Sequence, residues 1–420
     1  MARLRGLSRV GHNRGMEVSH RASNSRQWLL MAGLALLSSC ARAPAREAAV
    51  SAPPAASSTL RVATYNSSLN DDAAGGLIAR LEKGDDKARR IAAVIQRNHP
   101  DLLLLNEFDY DAAGRAADLF QHVYLETGQS GQAPIRYPFR YLAPVNTGVP
   151  SGLDLDRNGK VGGGNDAWGF GLHPGQYGML VLSRFPIDVD RVRTFQNLRW
   201  SAMPGAHSPV DPRTGVDWYP PAVWAQLRLS SKSHWDVPVQ TPLGKLHFLV
   251  DHPTPPVFDG PEDRNGVRNH DEIRLWAEYL SQPRSHWLCD DAGRCGGLPA
   301  GARFVIAGDH NADPVDGDSS GNPIAQLLEH PRVLHYPAPR SEGGAANAAR
   351  VGGGNIGQKG DPAEDTGDFG PKVGDLRLDY VLPSSNLRVL DSAVFWPAPG
   401  QAGADWIGAS DHHLVWLDLQ

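Results

Sequence analysis

The sequence has little of three features that mark particular classes of protein. It contains no run of basic residues, although proteins that grip long nucleic acids through their phosphates usually present a basic face. It shows no repeat of fixed period. Only three of its 420 residues are cysteines. We therefore do not expect a protein that tracks nonspecifically along DNA or a solenoid, whereas a nuclease with short contacts is not excluded.

The N-terminal region differs in composition from the rest. Residues 28–39, WLLMAGLALLSS, are apolar and follow Arg26. Twelve residues are too few for a membrane span, which needs roughly 20, but they suit the apolar region of a signal peptide. The sequence LSSC at 37–40 resembles a bacterial lipobox, in which Cys40 would be lipidated. An ordinary secretory signal cleaved nearby is the alternative.

These features predict the organisation of the chain and its location. Residues 1–40 are predicted to be a signal peptide with a lipobox, 41–59 an Ala/Pro/Ser-rich tether, and 60–420 a catalytic domain with long insertions. We expect an exported monomer in the periplasm or at the cell surface, held to the membrane by its N-terminal lipid. Removal of residues 1–39 takes six arginines and one glutamate from 41 basic and 46 acidic residues, which leaves 35 and 45 and a net charge of −10.

The other two cysteines, Cys289 and Cys295, lie in the short segment CDDAGRC. An exported protein meets an oxidising compartment, where this spacing allows a small disulfide loop. A metal-binding pair is the alternative, but no further Cys or His follows at zinc-site spacing. The disulfide is therefore favoured.

Several strand-like apolar runs end in a residue that can do chemistry. Helical periodicity predicts helices only over 87–99 and 268–280, so most of the chain favours an α/β (α+β) fold of two packed β-sheets flanked by helices. Gly/Pro-rich pieces at 128–176, 199–222 and 336–374 are predicted to be surface insertions, with partial disorder as an equal alternative. The predicted strands cover 60–66, 101–109, 177–187, 245–256, 304–311, 377–384 and 410–419.

The residues at these strand ends are acids, amides and histidines. Turn formation explains one such strand end, but not six of them. Carboxylate and amide oxygens bind hard divalent cations such as Mg²⁺, and a histidine paired with a carboxylate is oriented for proton transfer. The set comprises Asn66, Glu107, His252, Asp309, Asn311, Asp379, Asp411 and His412.

The order of the motifs TYN, NE, H, GDxN, LDY and SDHH resembles that of the endonuclease/exonuclease/phosphatase superfamily, from about Leu60 to Leu419. The sequence GDHN departs from the more usual GDFN at its third position. The resemblance implies a DNase I-like, four-layered sandwich and a phosphoesterase that depends on Mg²⁺ or Mn²⁺. The superfamily includes nucleases, inositol-polyphosphate phosphatases and bacterial sphingomyelinases.

The resemblance also implies roles for individual residues. Glu107 would bind the metal with help from Asn66 and Asp411. His412, oriented by Asp379, would act at the attacking water. Asp309 would position or deprotonate that water. Asn311 would hold a phosphate oxygen, and His252 would donate a hydrogen bond to the phosphoryl group. Whether Asp309 or His412 is the general base stays open.

Two further segments have alternative interpretations. In DLDRNGKVGGGND, the spacing of Asp154, Asp156 and Asn158 is that of a calcium-binding loop, although Asn165 replaces the usual glutamate. A structural Ca²⁺ is slightly favoured over a solvated turn. Arg264 and Arg268 follow His252 in a dense polar stretch, which indicates either substrate contact or a charged surface loop.

The sequence thus predicts a metal-dependent phosphodiesterase acting on phosphate esters, with an exported nuclease as the first hypothesis. A phosphomonoesterase or lipid phosphodiesterase of the inositol-phosphate or sphingomyelin type is the alternative. A non-catalytic surface binding module is disfavoured, because such a module has no need of an Asp379–His412 pair.

Overall fold

The computed structural model describes residues 59–420. The predicted signal peptide, Cys40 and nearly all of the tether lie outside the described residues. The strands are β1 Leu60–Asn66, β2 Leu102–Asn106, β3 Phe139–Tyr141, β4 Met179–Ser183, β5 Arg193–Thr194, β6 Val210–Asp211, β7 Val216–Asp217, β8 His234–Thr241, β9 Gly244–Asp251, β10 Arg303–Asp309, β11 Gly367–Asp368, β12 Asp375–Leu376, β13 Asp379–Pro383, β14 Val389–Val394 and β15 Val415–Leu419. The α-helices are α1 Gly76–Lys83, α2 Asp86–Asn98, α3 Arg115–Leu119, α4 Pro221–Trp224, α5 Arg264–Leu280, α6 Ala325–Leu328, α7 Glu342–Val351 and α8 Gly370–Val373.

Helix α2 illustrates how local sequence sets the element ends. The Asp85 side chain accepts a hydrogen bond from the backbone N–H of Ala88 at 3.1 Å, which caps the first turn. The helix ends at Asn98 and is followed by His99, whose φ of 51° places it in the left-handed region. The predicted helix over 87–99 is confirmed. The other predicted helix, α5, begins four residues earlier than expected, at Arg264.

Two sheets carry most of the strands. The first has the order β14-β15-β1-β2-β4-β3, and the second has the order β13-β10-β9-β8-β5. Each contains one parallel pair, β1 with β2 and β9 with β10, and its other neighbours are antiparallel. Two short ribbons, β6-β7 and β11-β12, lie outside them.

Three apolar cores separate four layers. The first core packs α1 and α2 against the outer face of the first sheet. The second packs α5 against the outer face of the second sheet. The third lies between the sheets and includes Val62, Leu104, Phe248 and Val305. The predicted four-layered DNase I-like sandwich is confirmed.

Strand alternation selects which side chains meet between the sheets. Side chains alternate along a strand, so a residue two or four positions further along lies on the same face of the sheet. The residues at this spacing from the inner apolar positions Val62, Leu104 and Val305 therefore also face the space between the sheets. These residues are Asn66, Asn106 and Asp309, each at the carboxyl end of its strand. Asn66 lies opposite Asn106 in the first sheet, and Asp309 lies opposite Asp379 in the second. The polar strand ends therefore converge at one edge of the sandwich.

Several details differ from the sequence-based predictions or extend them. The strand predicted over 410–419 is formed only by Val415–Leu419, so His412 lies in the loop before it. The predicted insertions carry short elements such as β3, the β6-β7 ribbon and α7. The predicted disulfide joins Cys289 and Cys295. Among the helices of residues 59–420, none is long and apolar enough to cross a membrane.

Candidate active site

A cavity of about 960 Å³ opens where the strand ends of the two sheets converge. Six of the residues predicted from the strand ends line it: Glu107, His252, Asp309, Asn311, Asp411 and His412. The other two, Asn66 and Asp379, are buried and bond to cavity residues. The structure therefore brings together all eight residues of the predicted set, over a span of about 350 positions of sequence.

His412 is held by a buried carboxylate. Its Nδ1 lies 2.8 Å from Oδ2 of Asp379, and the Thr366 hydroxyl donates to the same oxygen at 2.7 Å. The Thr366 hydroxyl oxygen also accepts the backbone N–H of Asp379 at 3.0 Å. The arrangement fixes the ring and leaves Nε2 facing the cavity side, 3.6 Å from Oδ2 of Asp309. Thr366 is a positioning residue that the sequence pattern did not reveal.

Asp309 is the centre of the hydrogen-bonded cluster. Its Oδ2 accepts from the Asn66 amide at 3.0 Å and lies 3.4 Å from Nε2 of His252. Its Oδ1 accepts the backbone N–H of Asn311 at 2.9 Å, for which Asn311 adopts a left-handed φ of 51°. Asn311 in turn donates its side-chain amide to the carbonyl of Pro253 at 3.1 Å.

The charges in this cluster shift the pKa values of its members. Burial alone would lower the pKa of His412, but the charges of Asp379 and Asp309 outweigh it and raise that pKa well above its usual value. Burial acts to raise the pKa of Asp309, yet His412 and His252 hold it well below the usual range. The pKa of Asp379 is raised by burial despite its bond to His412. Such opposed shifts at one cleft are typical of catalytic acid–base sites.

Glu107 presents a carboxylate whose neighbours are amides. It follows β2 with a strained φ of 55°, and its two oxygens accept from Asn66 at 3.2 Å and Asn70 at 2.9 Å. None of the ion pairs among residues 59–420 includes Glu107 or Asp411. Two carboxylates without cationic partners at the mouth of a cavity form a donor set that suits a hard divalent cation. The amide nitrogen of Asn66, not its oxygen, faces the carboxylates of Glu107 and Asp309. Ligation of a metal by Asn66 stays a prediction.

A fourth asparagine, Asn106, joins the two sheets beneath the site. It is fully buried, donates to the carbonyl of Asp251 at 3.1 Å and accepts the backbone N–H of Asp309 at 3.1 Å. It thereby fixes the strand ends that carry His252 and Asp309. Asn106 is the first residue of the NE motif, for which the sequence predicted a role only for Glu107.

Helix α5 supports the loops around the site. Arg268 donates to the backbone carbonyls of Leu229 and Trp168 at 2.9 and 2.7 Å. Glu272 accepts the backbone N–H groups of Ser231 at 2.5 Å and Thr254 at 2.7 Å. The dense polar stretch was predicted to contact substrate or to form a charged surface loop. In the structure, its residues Arg268 and Glu272 bind backbone groups of neighbouring loops.

The two arginines predicted to bind substrate both line the cavity. Arg264 pairs closely with Glu262, and Arg268 uses its guanidinium on the carbonyls described above. Direct contact of either arginine with substrate stays a prediction.

The predicted calcium loop forms a second group of acids. Asp154, Asp156 and the buried Asp166 bring ligand atoms within 4.8 Å of one another, as Asp309, Asp379 and His412 also do. Asp154 accepts the N–H groups of Asn158 and Gly159 at 3.0 and 2.9 Å. Asp166 was not predicted from the sequence, because the calcium-loop spacing places the last ligand at position 165, which is an asparagine.

All three predicted insertions contribute walls to the cavity. The first supplies Phe170, the second Tyr219, and the third Phe369 and Val373. Phe258, from the loop after His252, also lines the cavity and is 85% exposed. The cavity thus combines exposed apolar side chains from these segments with the buried His252, Asp309 and His412.

A two-sheet α/β sandwich whose strand ends converge on an acid–histidine cluster defines a class of phosphoester hydrolases. The sequence model of the Endonuclease/Exonuclease/phosphatase family matches residues 63–412. The chain belongs to this family, and it is a metal-dependent hydrolase acting on phosphoester bonds.

Solved structures that resemble the chain do so at low identity. An endonuclease/exonuclease/phosphatase from Beutenbergia cavernae is 21% identical with a TM-score of 0.47, over 86% of this chain and 71% of its own. Sphingomyelinase C from Streptomyces griseocarneus is 18% identical with a TM-score of 0.41, over 86% of this chain and 99% of its own. A beta toxin variant from Staphylococcus aureus, solved with bound magnesium ions, is 12% identical with a TM-score of 0.40, over 86% and 99% of the two chains. No curated protein matches the sequence.

Proposed function

We propose that the chain is an exported phosphodiesterase that cleaves compact organic phosphodiesters bearing an apolar group. The observation that carries this proposal is the cavity of about 960 Å³, which is lined by the acid–histidine cluster together with Phe170, Tyr219, Phe258 and Phe369. A cavity of this size accommodates a compact organic molecule.

The surface favours a small substrate over a long polyanion. Without residues 1–39 the chain carries a net charge of −10, so it would repel a long nucleic acid. Phe170 and Val373 at the cavity are 54% and 51% exposed, and apolar groups left in water next to a cleft favour an apolar ligand.

The hydrolytic roles follow from the hydrogen bonds. His412, held by Asp379, and Asp309 beside it are the two groups that can take a proton from the attacking water. Asn311 and His252 can donate to oxygens of the phosphoryl group as charge develops there. Glu107 and Asp411 would hold a Mg²⁺ or Mn²⁺ ion, which neutralises phosphate charge when it is bound.

The test is a substrate panel with the purified protein, with and without Mg²⁺, Mn²⁺ or Ca²⁺. It comprises bis(p-nitrophenyl) phosphate, p-nitrophenyl phosphate, sphingomyelin, phosphoinositides, phytate, duplex DNA and RNA. We expect the metal-dependent rate to be highest on a compact or lipid phosphodiester. Faster cleavage of DNA or RNA than of every small diester would favour the sequence-based nuclease hypothesis and contradict this proposal. Fastest cleavage of a monoester would favour a phosphatase.

The proposed export rests on the sequence of residues 1–40. When the chain is expressed with its own leader, we expect it to sediment with membranes, and Cys40→Ala to release it, because several acyl chains anchor a lipoprotein stably. The matched control is Ser39→Ala, which keeps the cysteine. A Cys40→Ala protein that binds membranes as firmly as the wild type would contradict the lipobox.

We also propose that the loop with Asp154, Asp156 and Asp166 holds a structural Ca²⁺ ion. Support comes from the convergence of the three carboxylates within 4.8 Å. Asn158 adds an amide oxygen to the same loop, although that oxygen accepts the N–H of Lys160 at 2.9 Å.

A further inference from the structure

Lys232 is a buried cation that lines the catalytic cavity and has no role so far. It lies in the segment between Leu229 and strand β8 and is 6% exposed. Its ammonium nitrogen makes one long contact, 3.5 Å from the carbonyl of Pro253. No ion pair within residues 59–420 includes it. A buried ammonium with a single weak acceptor retains donors for a ligand.

The position of this ammonium relates it to the phosphate site. The carbonyl of Pro253 that it approaches also accepts the side-chain amide of Asn311 at 3.1 Å. The two donors therefore stand side by side at one acceptor, on the part of the cavity that also contains His252 and Asp309. An anion that accepts from the Asn311 amide would lie within reach of the ammonium.

The backbone that carries Lys232 is held on both sides. Glu272 binds the N–H of Ser231, and the carbonyl of Lys232 accepts the N–H of Asn146 at 2.9 Å. Gly169 packs so closely on this segment that a Cβ there would lie 1.9 Å from the carbonyl oxygen of Ser231. The backbone that carries the lysine is thus fixed before any ligand arrives, which lowers the entropic cost of binding.

Opposing electrostatic effects act on the ammonium of Lys232. Burial lowers the pKa of Lys232, while the charges of Glu272, Glu107 and Asp309 oppose this shift. These carboxylates act on the ammonium without forming a direct ion pair. By contrast, Arg264 is paired with Glu262, and Arg268 is bound to backbone carbonyls.

We propose that Lys232 binds a non-bridging oxygen of the substrate's phosphoryl group next to Asn311. This inference deepens the proposed function and rests on it. Lys232 is then a catalytic residue, because its charge meets the phosphate on which negative charge builds during hydrolysis.

The test measures binding of inorganic phosphate directly, so that it needs no active substrate. Phosphorus NMR titrations in Mg²⁺ compare the wild type with Lys232→Met, which keeps the buried stem, and Lys232→Arg, which keeps the charge. The control is Lys245→Met, at an exposed position near the start of β9. Loss of a hydrogen bond from a charged group should weaken phosphate binding about tenfold or more in Lys232→Met. We expect little change in the control and partial recovery in Lys232→Arg.

Three results would overturn the inference. Phosphate could bind equally to the wild type and Lys232→Met, or it could fail to bind the wild type. Lys232→Met and Lys232→Arg could also lose phosphate affinity equally, which would indicate an effect of packing instead of charge. A wild type that hydrolyses nothing in the panel, yet binds phosphate through Lys232, would remove the proposed function and keep this inference. Thermal unfolding of each variant checks that the fold is retained.

Discussion

Two groups of acidic residues in this molecule have similar dimensions but different surroundings. Asp309, Asp379 and His412 form one group, and Asp154, Asp156 and Asp166 form the other; in each, the ligand atoms lie within 4.8 Å. All members of the first group are buried, whereas Asp154 and Asp156 are half-buried. The distances between ligand atoms alone therefore do not assign a function to either group.

The difference lies in what neutralises the carboxylates. In the first group, histidines lie against the acids, and their mutual charges move the pKa values of His412 and Asp309 in opposite directions. In the second group, backbone N–H groups of the same loop bind the acids, as at Gly159 and Gly162. The first environment favours proton transfer, and the second leaves carboxylates that a metal ion can share.

The largest effect should follow from changes to the first group and its metal ligands. Glu107→Gln and His412→Ala should each lower phosphodiesterase turnover by about a hundredfold or more, because one removes a metal ligand and the other a proton-transfer group. Steady-state kinetics on the best substrate measures this, with melting temperatures as a check of the fold. The matched controls are the exposed Glu329→Gln and His335→Ala. Near-wild-type turnover in Glu107→Gln or His412→Ala would remove the site assignment.

The second group should affect stability instead of turnover. Saturating Ca²⁺ should raise the melting temperature of the wild type by about 5 °C, because an ion that binds only the folded state stabilises it. Asp156→Asn should abolish this increase and change turnover less than about twofold, since the loop is not part of the proton-transfer cluster. Differential scanning calorimetry checks it, with Glu107→Gln as the control that keeps the increase. A full Ca²⁺ effect in Asp156→Asn would contradict the calcium loop.

Asp365 is a carboxylate whose pKa is set by burial and by other acids, without a histidine or N–H partner among the described residues. Burial, followed by the charges of Asp313 and Asp375, raises its pKa to about 7. The folded state thus holds this proton more tightly than the unfolded chain, so its contribution to stability is present below the unfolded pKa and is lost as pH rises to about 7. Asp365→Asn should raise the melting temperature by a few degrees at pH 8 and by little near pH 4. An equal effect at both pH values would contradict the raised pKa.

The smallest effect is expected from the bond between Cys289 and Cys295, which lies apart from both groups. The loop it closes spans six positions, so in the chain-entropy model it stabilises the fold by about 2 kcal/mol. Reduction should lower the melting temperature by a few degrees and leave most of the activity. Mass spectrometry with a thiol-blocking reagent, followed by an activity assay, measures both. Activity lost on reduction alone would show that this loop shapes the cleft.

Strand ends could be predicted from the sequence because local patterns determine them. The buried run before Asp309 and the apolar positions of α2 follow alternation and helical periodicity. These elements and the eight residues of the predicted set, six of which line the cavity, could therefore be predicted. Thr366 and Glu272 were not, because their roles depend on backbone groups that are distant in sequence. The insertions were predicted only as surface segments, because no local sequence pattern indicates that Phe170 and Phe369 line the same cavity.

The amide of Asn106 has a consequence for the order in which the molecule forms. It binds Asp251 and Asp309, which lie 145 and 203 positions further along the chain. Contacts of such high sequence separation close large loops, and folds dominated by them fold slowly. During synthesis, the inner face of the first sheet, with Val62 and Leu104, must therefore wait for the second half of the chain. Until residue 309 has emerged, this apolar face is open to nonproductive association, and the cleft is among the last parts to form.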